Sequence, residues 1–579
     1  MGRLEPTTTS RRRPSHRWTP LLLAATLSLL YYLSDHRIQL VHIPANTAAF
    51  KPCSPPLPTL LATKPPSADN PMFKKAAGSL NAFLSARTSS SDIDSLSIGV
   101  ITPAGAIFEG FYGTLRANET SGGSVDRDTI YRIASITKMF TTLETLILRE
   151  RGQLSWDDPV TKFIPNFTNP SSGWSEHLHS TETSFEKSPV TLRQLASHLS
   201  GIGRDYPPYD VGEWPARLPT NDPEDEHESE GRMHGTLAVL LDAIATTPLV
   251  ADQYTFPVYS NAGFDVLGAC NVGAHELATG NVTTHAELLR ADVFEPLGLN
   301  SSFYKIPSDK LAAQIAIPRI DSSWADLAFS DVFAPAGGQY SSLADLTKVM
   351  QSFLSPKPHG VVSPYVMREW LRPLHAWSDG FQEVGAPWEI AKVGQDSEAR
   401  LYSKGGNLPG YHSQFVLNPQ WSYGVVVLVT GTYTDTATLA REAIDRFQPA
   451  FKQELVNQVA DAYTGIWIGD DSVVIVTLEN DELFLQTLIV GDQDVLSLLQ
   501  QNPPKGSQPV ALWSTGRLGE FRLAIGRPEL NGNPDAGCEP YWVSIDFPTA
   551  RGAPLDLIFW DGDELFYPSA GVKLRRGQT

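Results

Sequence analysis

Tyr131-Arg132-Ile133-Ala134-Ser135-Ile136-Thr137-Lys138-Met139-Phe140 is the stretch from which the fold and chemistry of this 579-residue chain are read. Ser135 and Lys138 stand three apart at the start of a predicted helix, with Met139, Leu143, Leu146 and Ile147 on its apolar side. Residues at that spacing share a helix face, so the lysine amine can reach the serine hydroxyl. A desolvated lysine of lowered pKa can serve as the base that a serine nucleophile needs. The helix N-terminus adds N–H donors and the positive end of a dipole. Ser-x-x-Lys alone is weakly specific, and the chain carries a second copy, Ser184-Phe185-Glu186-Lys187. That copy lies in a polar stretch followed by Pro189 and starts no apolar helix.

Two downstream elements sharpen the pattern. Tyr259-Ser260-Asn261-Ala262-Gly263 offers a phenol and an amide two residues apart. A tyrosine beside an ammonium is pushed toward phenolate and can shuttle protons; an asparagine can hold a substrate carbonyl or the lysine. The same residues also read as a helix-capping turn. The third element is Ser403-Lys404-Gly405-Gly406-Asn407-Leu408-Pro409-Gly410-Tyr411. A strand with Lys-x-Gly lets a substrate lie close to backbone, because glycine has no side chain, and its N–H groups can serve an oxyanion. A plain turn accounts for the glycine pair equally well in isolation. The decoy Lys392-Val393-Gly394, directly after Trp388-Glu389-Ile390-Ala391, reads as part of a preceding strand.

Taken in order, the three elements resemble the serine β-lactamase and penicillin-binding-protein superfamily. Residues 71–447 most resemble its class C-like branch of esterases, D-aminopeptidases and fungal acyl hydrolases or acyltransferases. Further phrases carry the likeness: Leu192-Arg193-Gln194-Leu195-Ala196-Ser197-His198-Leu199-Ser200-Gly201-Ile202, Phe294-Glu295-Pro296-Leu297-Gly298-Leu299, and residues 334–342 from Ala334 to Ser342. The resemblance covers about two thirds of the chain by length. The tail is similar to the β-rich C-terminal domain of fungal β-lactamase-like proteins.

The resemblance implies an acyl-enzyme. Ser135 would attack a carbonyl, Lys138 and Tyr259 would manage the protons, and Asn261 would orient the substrate. Lys404 would add positive charge, Gly406 would allow close approach, and the N–H groups of Ser135 and Asn407 would hold the oxyanion. No metal or organic cofactor is implied. Many penicillin-recognising members have Lys-Thr-Gly and many esterases His-x-Gly, whereas this chain has Lys404-Gly405-Gly406. The absent hydroxyl at position 405 favours small-molecule ester or amide substrates, secondary metabolites among them, over antibiotics. A serine acyl hydrolase is the leading expectation. An acyltransferase using the same acyl-enzyme and a non-catalytic scaffold are the alternatives.

Strand, helices, strand along residues 71–447 predicts an α/β (α+β) fold: an antiparallel sheet whose two chain ends pair around an inserted helical region. A helix is expected over 71–88 with Asn70 as N-cap, and a hairpin over Leu96–Ile101 and Ala106–Phe111. From 448 to 579, short alternating runs separated by turn residues predict a separate antiparallel β domain, sandwich or barrel. They include Tyr541-Trp542-Val543-Ser544-Ile545, and Trp467, Trp542 and Trp560 are expected in its core.

At the N-terminus, residues 1–17 form a basic tail containing Arg11, Arg12, Arg13 and Arg17. The apolar run 18–33 reads as a signal anchor that would make this a single-pass membrane protein of the secretory pathway, with a cleaved signal peptide and secretion as the alternative. Residues 34–70 are proline-rich and are expected to form an extended tether with no packed core. Sequons at Asn118, Asn166, Asn281 and Asn300 fit a glycosylated lumenal or extracellular body. Of the three cysteines, Cys53 and Cys538 could pair, while Cys270 reads as a buried free thiol. Acidic residues exceed basic ones by 64 − 45 = 19, a surface that repels nucleic acid. With 41% hydrophobic and 19% charged residues, the chain is not globally disordered. The acidic run 222–231 reads as a solvated loop rather than a metal site.

Overall fold

The apolar run at 423–429 lacks polar alternation because both its faces are covered. It belongs to strand β10 (Tyr423–Gly431), buried along its whole length. Val425, Val427 and Val429 enter one hydrophobic core, and Val426 and Leu428 the other, as the two-residue repeat of a strand requires. The protein is described by a computed structural model over residues 53, 55–120, 122–178, 188–208, 235–357, 360–393, 399–501, 506–526, 537–546 and 548–577.

β10 lies in the middle of an antiparallel sheet. Its other strands are β1 (Ile93–Thr102), β2 (Gly105–Gly113), β5 (His375–Ala376), β6 (Gln382–Val384), β7 (Glu389–Val393), β8 (Ala399–Leu408) and β9 (Tyr411–Asn418). The order is β2-β1-β10-β9-β8-β7-β6-β5. The first strand of the domain pairs with its last, Ile98 opposite Val427, so the helical region is inserted between them as expected. A short ribbon, β3 (Ile130–Arg132) with β4 (Tyr340–Ser342), ties that region together.

Helix α1 (Pro71–Arg87), capped by the Asn70 side chain on the Met72 N–H, and α5 (Thr436–Tyr463) cover one face of the sheet. The other face carries α2 (Thr137–Glu150), α3 (Asn261–Thr279) and α4 (Leu343–Leu354). α2 is buried from Thr137 through Leu148 on all sides, not on one apolar side only. Its threonines tolerate this because their hydroxyls find internal acceptors: Thr141 donates to Pro335 O at 2.8 Å, Thr142 to Lys138 O at 3.0 Å and Thr145 to Asn271 Oδ1 at 2.9 Å.

The C-terminal region is a barrel. Strands β11 (Gly465–Ile468), β12 (Ser472–Glu479), β13 (Glu482–Val490), β14 (Val510–Ser514), β15 (Glu520–Leu523), β16 (Leu557–Asp561), β17 (Glu564–Tyr567) and β18 (Val572–Arg576) pair in sequence, and β18 closes on β11. Closure removes the exposed edges an open sheet would carry.

Three expectations are corrected. The boundary at 447/448 falls inside α5, which continues through Pro449 to Tyr463. Phe447 and Phe451 both pack on Phe73, and Phe451 stacks on Tyr423 at 4.2 Å, so tertiary contacts hold both sides of the proline in one helix. The barrel is the expected C-terminal all-β domain, and its core is continuous with that beneath α1 and α5. Within the expected tether, Pro55, Pro58, Leu60, Leu61 and Pro66 are buried, and Pro56 O accepts the Ser514 N–H. Cys53 is bonded to Cys538, in the turn that leads into the Glu539–Trp542 helix, and Cys270 is the buried free cysteine. Finally, the run at 541–545 is no strand: Glu539–Trp542 is a helical turn, and Trp542 is 62% exposed, unlike buried Trp467 and Trp560. The basic tail, the 18–33 run, Ser184 to Lys187 and the acidic run 222–231 lie outside the described residues.

Candidate active site

Ser135 sits where β3 turns into α2. Residues Ala134–Ile136 form a 3-10 turn, and Ala134 holds a left-handed φ of 48°. Such a backbone is strained for a residue with a Cβ and is common at functional sites. The turn is clamped from the sheet side: Ser413 on β9 donates its hydroxyl to Ile133 O at 2.8 Å.

Two groups converge on the Ser135 hydroxyl. Lys138 Nζ lies 3.1 Å away and the Tyr259 hydroxyl 2.7 Å away. Lys138 also donates to Asn261 Oδ1 at 2.6 Å and to Ala336 O at 2.7 Å, which fixes its amine at the bottom of the cleft. Tyr259 and Asn261 are positioned by the Ser260 N-cap of α3, whose hydroxyl accepts the Gly263 N–H and donates to Gly203 O, both at 2.8 Å. The segment is a helix-capping turn, and that turn presents the Tyr259 phenol and the Asn261 amide to the cleft.

The third element approaches from β8. β7 pairs with β8 only as far as Glu389 opposite Ser403, so residues 404–408 pair on one side, with β9. The other edge is open. Gly405 N–H points to it, donating to Glu389 Oε2 at 3.1 Å, and the strand repeat puts the Asn407 N–H on the same edge. A Cβ at Gly406 would lie 2.3 Å from Ile133 O, 2.5 Å from Ser413 Oγ and 3.0 Å from Ser135 N. Only glycine lets β8 pack so closely on the serine turn.

The cations set the electrostatics. Burial lowers the Lys138 pKa and nearby Lys404 adds repulsion, with Tyr259 opposing both. Burial would raise the Tyr259 phenol, but Lys138 and Lys404, 5.0 and 5.2 Å from its ring centre, outweigh this and bring it down to about 8. Burial would lower Lys404 as well; Glu389 and Tyr259 reverse that and raise it. Glu389 Oε1 accepts from Lys404 Nζ at 2.5 Å.

Ser135, Lys138, Tyr259, Asn261, Lys404, Gly406 and Asn407 thus stand around one cleft, as the sequence pattern anticipates. Four residues there were not anticipated as site residues. Glu389 pairs with Lys404. Asp205 accepts from Asn261 Nδ2 at 2.7 Å. Asp265, one turn beyond Asn261, borders the cleft, and burial holds its carboxyl well above the usual range. His198, at φ 62°, stacks on Tyr259 with ring centres 4.6 Å apart. Its Nδ1 accepts the Ser260 N–H at 3.1 Å, and burial plus Lys138, Lys404 and Arg204 keep it neutral, so the ring proton is on Nε2. Only His198 lay in a motif phrase read for family likeness; Glu389 becomes visible once β7 is aligned opposite β8.

Two cavities meet at Ser135. One, of about 220 Å³, has Phe329, Phe333, Leu408 and Asp265 among its walls. The other, of about 320 Å³, is bordered by Tyr259, Lys404, Glu389 and Asp435. Among the described residues no cluster of His, Cys, Asp and Glu could hold a metal ion.

The Beta-lactamase family model matches residues 80–448. The chain belongs to the beta-lactamase family. It is 37% identical over 304 residues to the beta-lactamase-like protein str6 of Strobilurus tenacellus, covering 50% of this chain and 97% of that protein. It is 27% identical to the human putative beta-lactamase-like 1, across 66% of this chain and 71% of the relative. The beta-lactamase/D-alanine carboxypeptidase of Yersinia pestis, solved with citrate, aligns at 20% identity and a TM-score of 0.48, over 69% of this chain and 99% of its own. Within the family-matched span lie all seven residues of the cleft motifs.

Proposed function

We propose that this beta-lactamase-family protein is a serine acyl hydrolase acting on ester or amide substrates through an acyl-enzyme on Ser135. The observation that carries this is the convergence of the Tyr259 hydroxyl at 2.7 Å and Lys138 Nζ at 3.1 Å on one serine oxygen. Tyr259, with its pKa brought to about 8 by burial opposed by two ammonium groups, takes the Ser135 proton as Oγ bonds the carbonyl carbon. The oxygen that gains charge is held by the N–H groups of Ser135 and Asn407. The carbon–leaving-group bond then breaks, and the leaving oxygen or nitrogen carries off the Tyr259 proton. Water, activated by the same phenolate, attacks the acyl carbon and restores the serine. Asn261 acts twice: its carbonyl orients Lys138, and its amide faces the substrate cleft beside Asp205.

Acyl transfer is the second reading. It is favoured by the polar cavity beside Tyr259, which the first leaving group vacates and a bound alcohol or amine could fill. Turnover of small esters by the wild type and by Ser135→Ala tests the hydrolase proposal; equal rates overturn it. Diversion of product to an added alcohol or amine distinguishes transfer from hydrolysis.

A lumenal or extracellular site of action fits two features. The four sequon asparagines, Asn118, Asn166, Asn281 and Asn300, are exposed, and the Cys53–Cys538 bond is chemistry of an oxidising compartment. Among the described residues no helix is long and apolar enough to cross a membrane. Glycan shifts on enzymatic deglycosylation of the expressed protein, with fractionation of medium and membranes, test this assignment.

A further inference from the structure

The polar cavity is the one bordered by Tyr259. In the acyl-enzyme mechanism Tyr259 hands its proton to the departing atom, so the leaving group lies on this side and the acyl group in the more apolar cavity. The charge character of the polar cavity therefore bears on what the enzyme can release.

Two cations border it, and each has a carboxylate partner. Arg204 pairs with Asp205 at 3.4 Å. Lys404, 1% exposed, pairs with Glu389 at 2.5 Å. Glu389 does more than neutralise the lysine. Its Oε1 takes Lys404 Nζ while its Oε2 takes the Gly405 N–H at 3.1 Å. Those are the cation and the open-edge N–H that a substrate carboxylate would need for two-point binding on β8. A further carboxylate, Asp435, lies on the same wall and caps α5 through the Thr438 N–H at 3.0 Å.

We infer that Glu389 is a built-in carboxylate occupying the anion position of the leaving-group cavity, so that the released alcohol or amine is uncharged or cationic and carries no carboxylate on that side. This rests on the acyl-enzyme proposal. The step itself is unchanged: the Ser135 Oγ–carbon bond forms, the carbon–leaving-group bond breaks, and the Tyr259 proton goes to the departing atom. Glu389 touches neither reacting atom; it is a specificity residue acting through charge and occupancy.

Three acetates that share one acyl group test it: phenyl acetate, 3-carboxyphenyl acetate and 3-(trimethylammonio)phenyl acetate. Each kcat/KM is normalised to the alkaline hydrolysis rate of its ester. The wild type is expected to discriminate against the carboxylate ester by about 10-fold or more relative to phenyl acetate, since like charges are juxtaposed there. The cationic ester should match or exceed phenyl acetate. Glu389→Gln should narrow the carboxylate-to-phenyl ratio by about 10-fold, and Glu389→Asp should retain the wild-type preference. Because the readout is a ratio within each variant, a general loss of activity cancels. Equal use of the anionic and neutral esters by the wild type, or an unchanged ratio in Glu389→Gln, overturns the inference while a phenol burst from phenyl acetate leaves the acyl-enzyme standing. No burst and no Ser135 adduct from any of the three overturns both.

Discussion

The Tyr259 hydroxyl lies 2.7 Å from Ser135 Oγ, and the same phenol ring is stacked on His198 and faced by the ammonium groups of Lys138 and Lys404. Burial alone would keep that phenol protonated; the two lysines bring it down to about 8. The acidity of one tyrosine is thus the balance of desolvation against two neighbouring cations.

This fixes a pH dependence. A base that must be deprotonated in the free enzyme gains activity as pH rises through its pKa. We expect kcat/KM for an uncharged ester to climb through about pH 8 and level off above it. Tyr259→Phe should lower kcat/KM by about 10²–10⁴-fold and remove that rising limb. A pH–rate profile of both proteins checks this.

Lys138 is wholly buried and donates to Ser135, Asn261 and Ala336. Lys138→Met leaves those acceptors unpaired but also removes a buried ammonium, and the two effects oppose each other. Thermal stability should therefore change by no more than about 1–2 kcal/mol, while kcat/KM falls by about 10²-fold or more. Thermal unfolding and steady-state kinetics on one preparation separate the two.

Gly406→Ala places a methyl 2.3 Å from Ile133 O and 3.0 Å from Ser135 N. Both are backbone atoms of a buried turn, so β8 must retreat and carry the Asn407 N–H with it. The expected result is a stability loss of about 1–3 kcal/mol with kcat reduced by about 10²-fold, the size of a lost oxyanion donor.

The Cys53–Cys538 bond joins positions 485 residues apart and pins the segment before α1 to the turn ahead of the Glu539–Trp542 helix. Removing it with Cys53→Ser should cost about 2–4 kcal/mol and leave ester turnover at 25 °C unchanged. Calorimetry beside a kinetic assay tests both halves.

Much of this was legible in the sequence because it rests on local rules. Ser135 and Lys138 share a face by spacing, Asn70 is an N-cap by residue type, and Tyr259-Ser260-Asn261 reads as a capping turn. What escaped is tertiary. Glu389 faces Lys404 only through the register that sets Glu389 opposite Ser403. His198 supports Tyr259 across 61 residues of chain by folding back under it. Composition also misled: in a stretch whose prolines suit an open tether, Leu60 and Leu61 enter the core shared with α5 and the barrel, and Pro55, Pro58 and Pro66 are buried. Trp542 is exposed because its segment turns helical instead of joining the barrel.

The central claim is a covalent acyl-enzyme on Ser135, and intact mass spectrometry reads it directly. The folded protein and its Ser135→Ala variant are exposed to an activated nitrophenyl ester and weighed at early times. One acyl adduct with a nitrophenol burst in the wild type, absent from Ser135→Ala, is the expected result. No adduct and no burst in a folded wild-type sample, or the same adduct in both proteins, would contradict it.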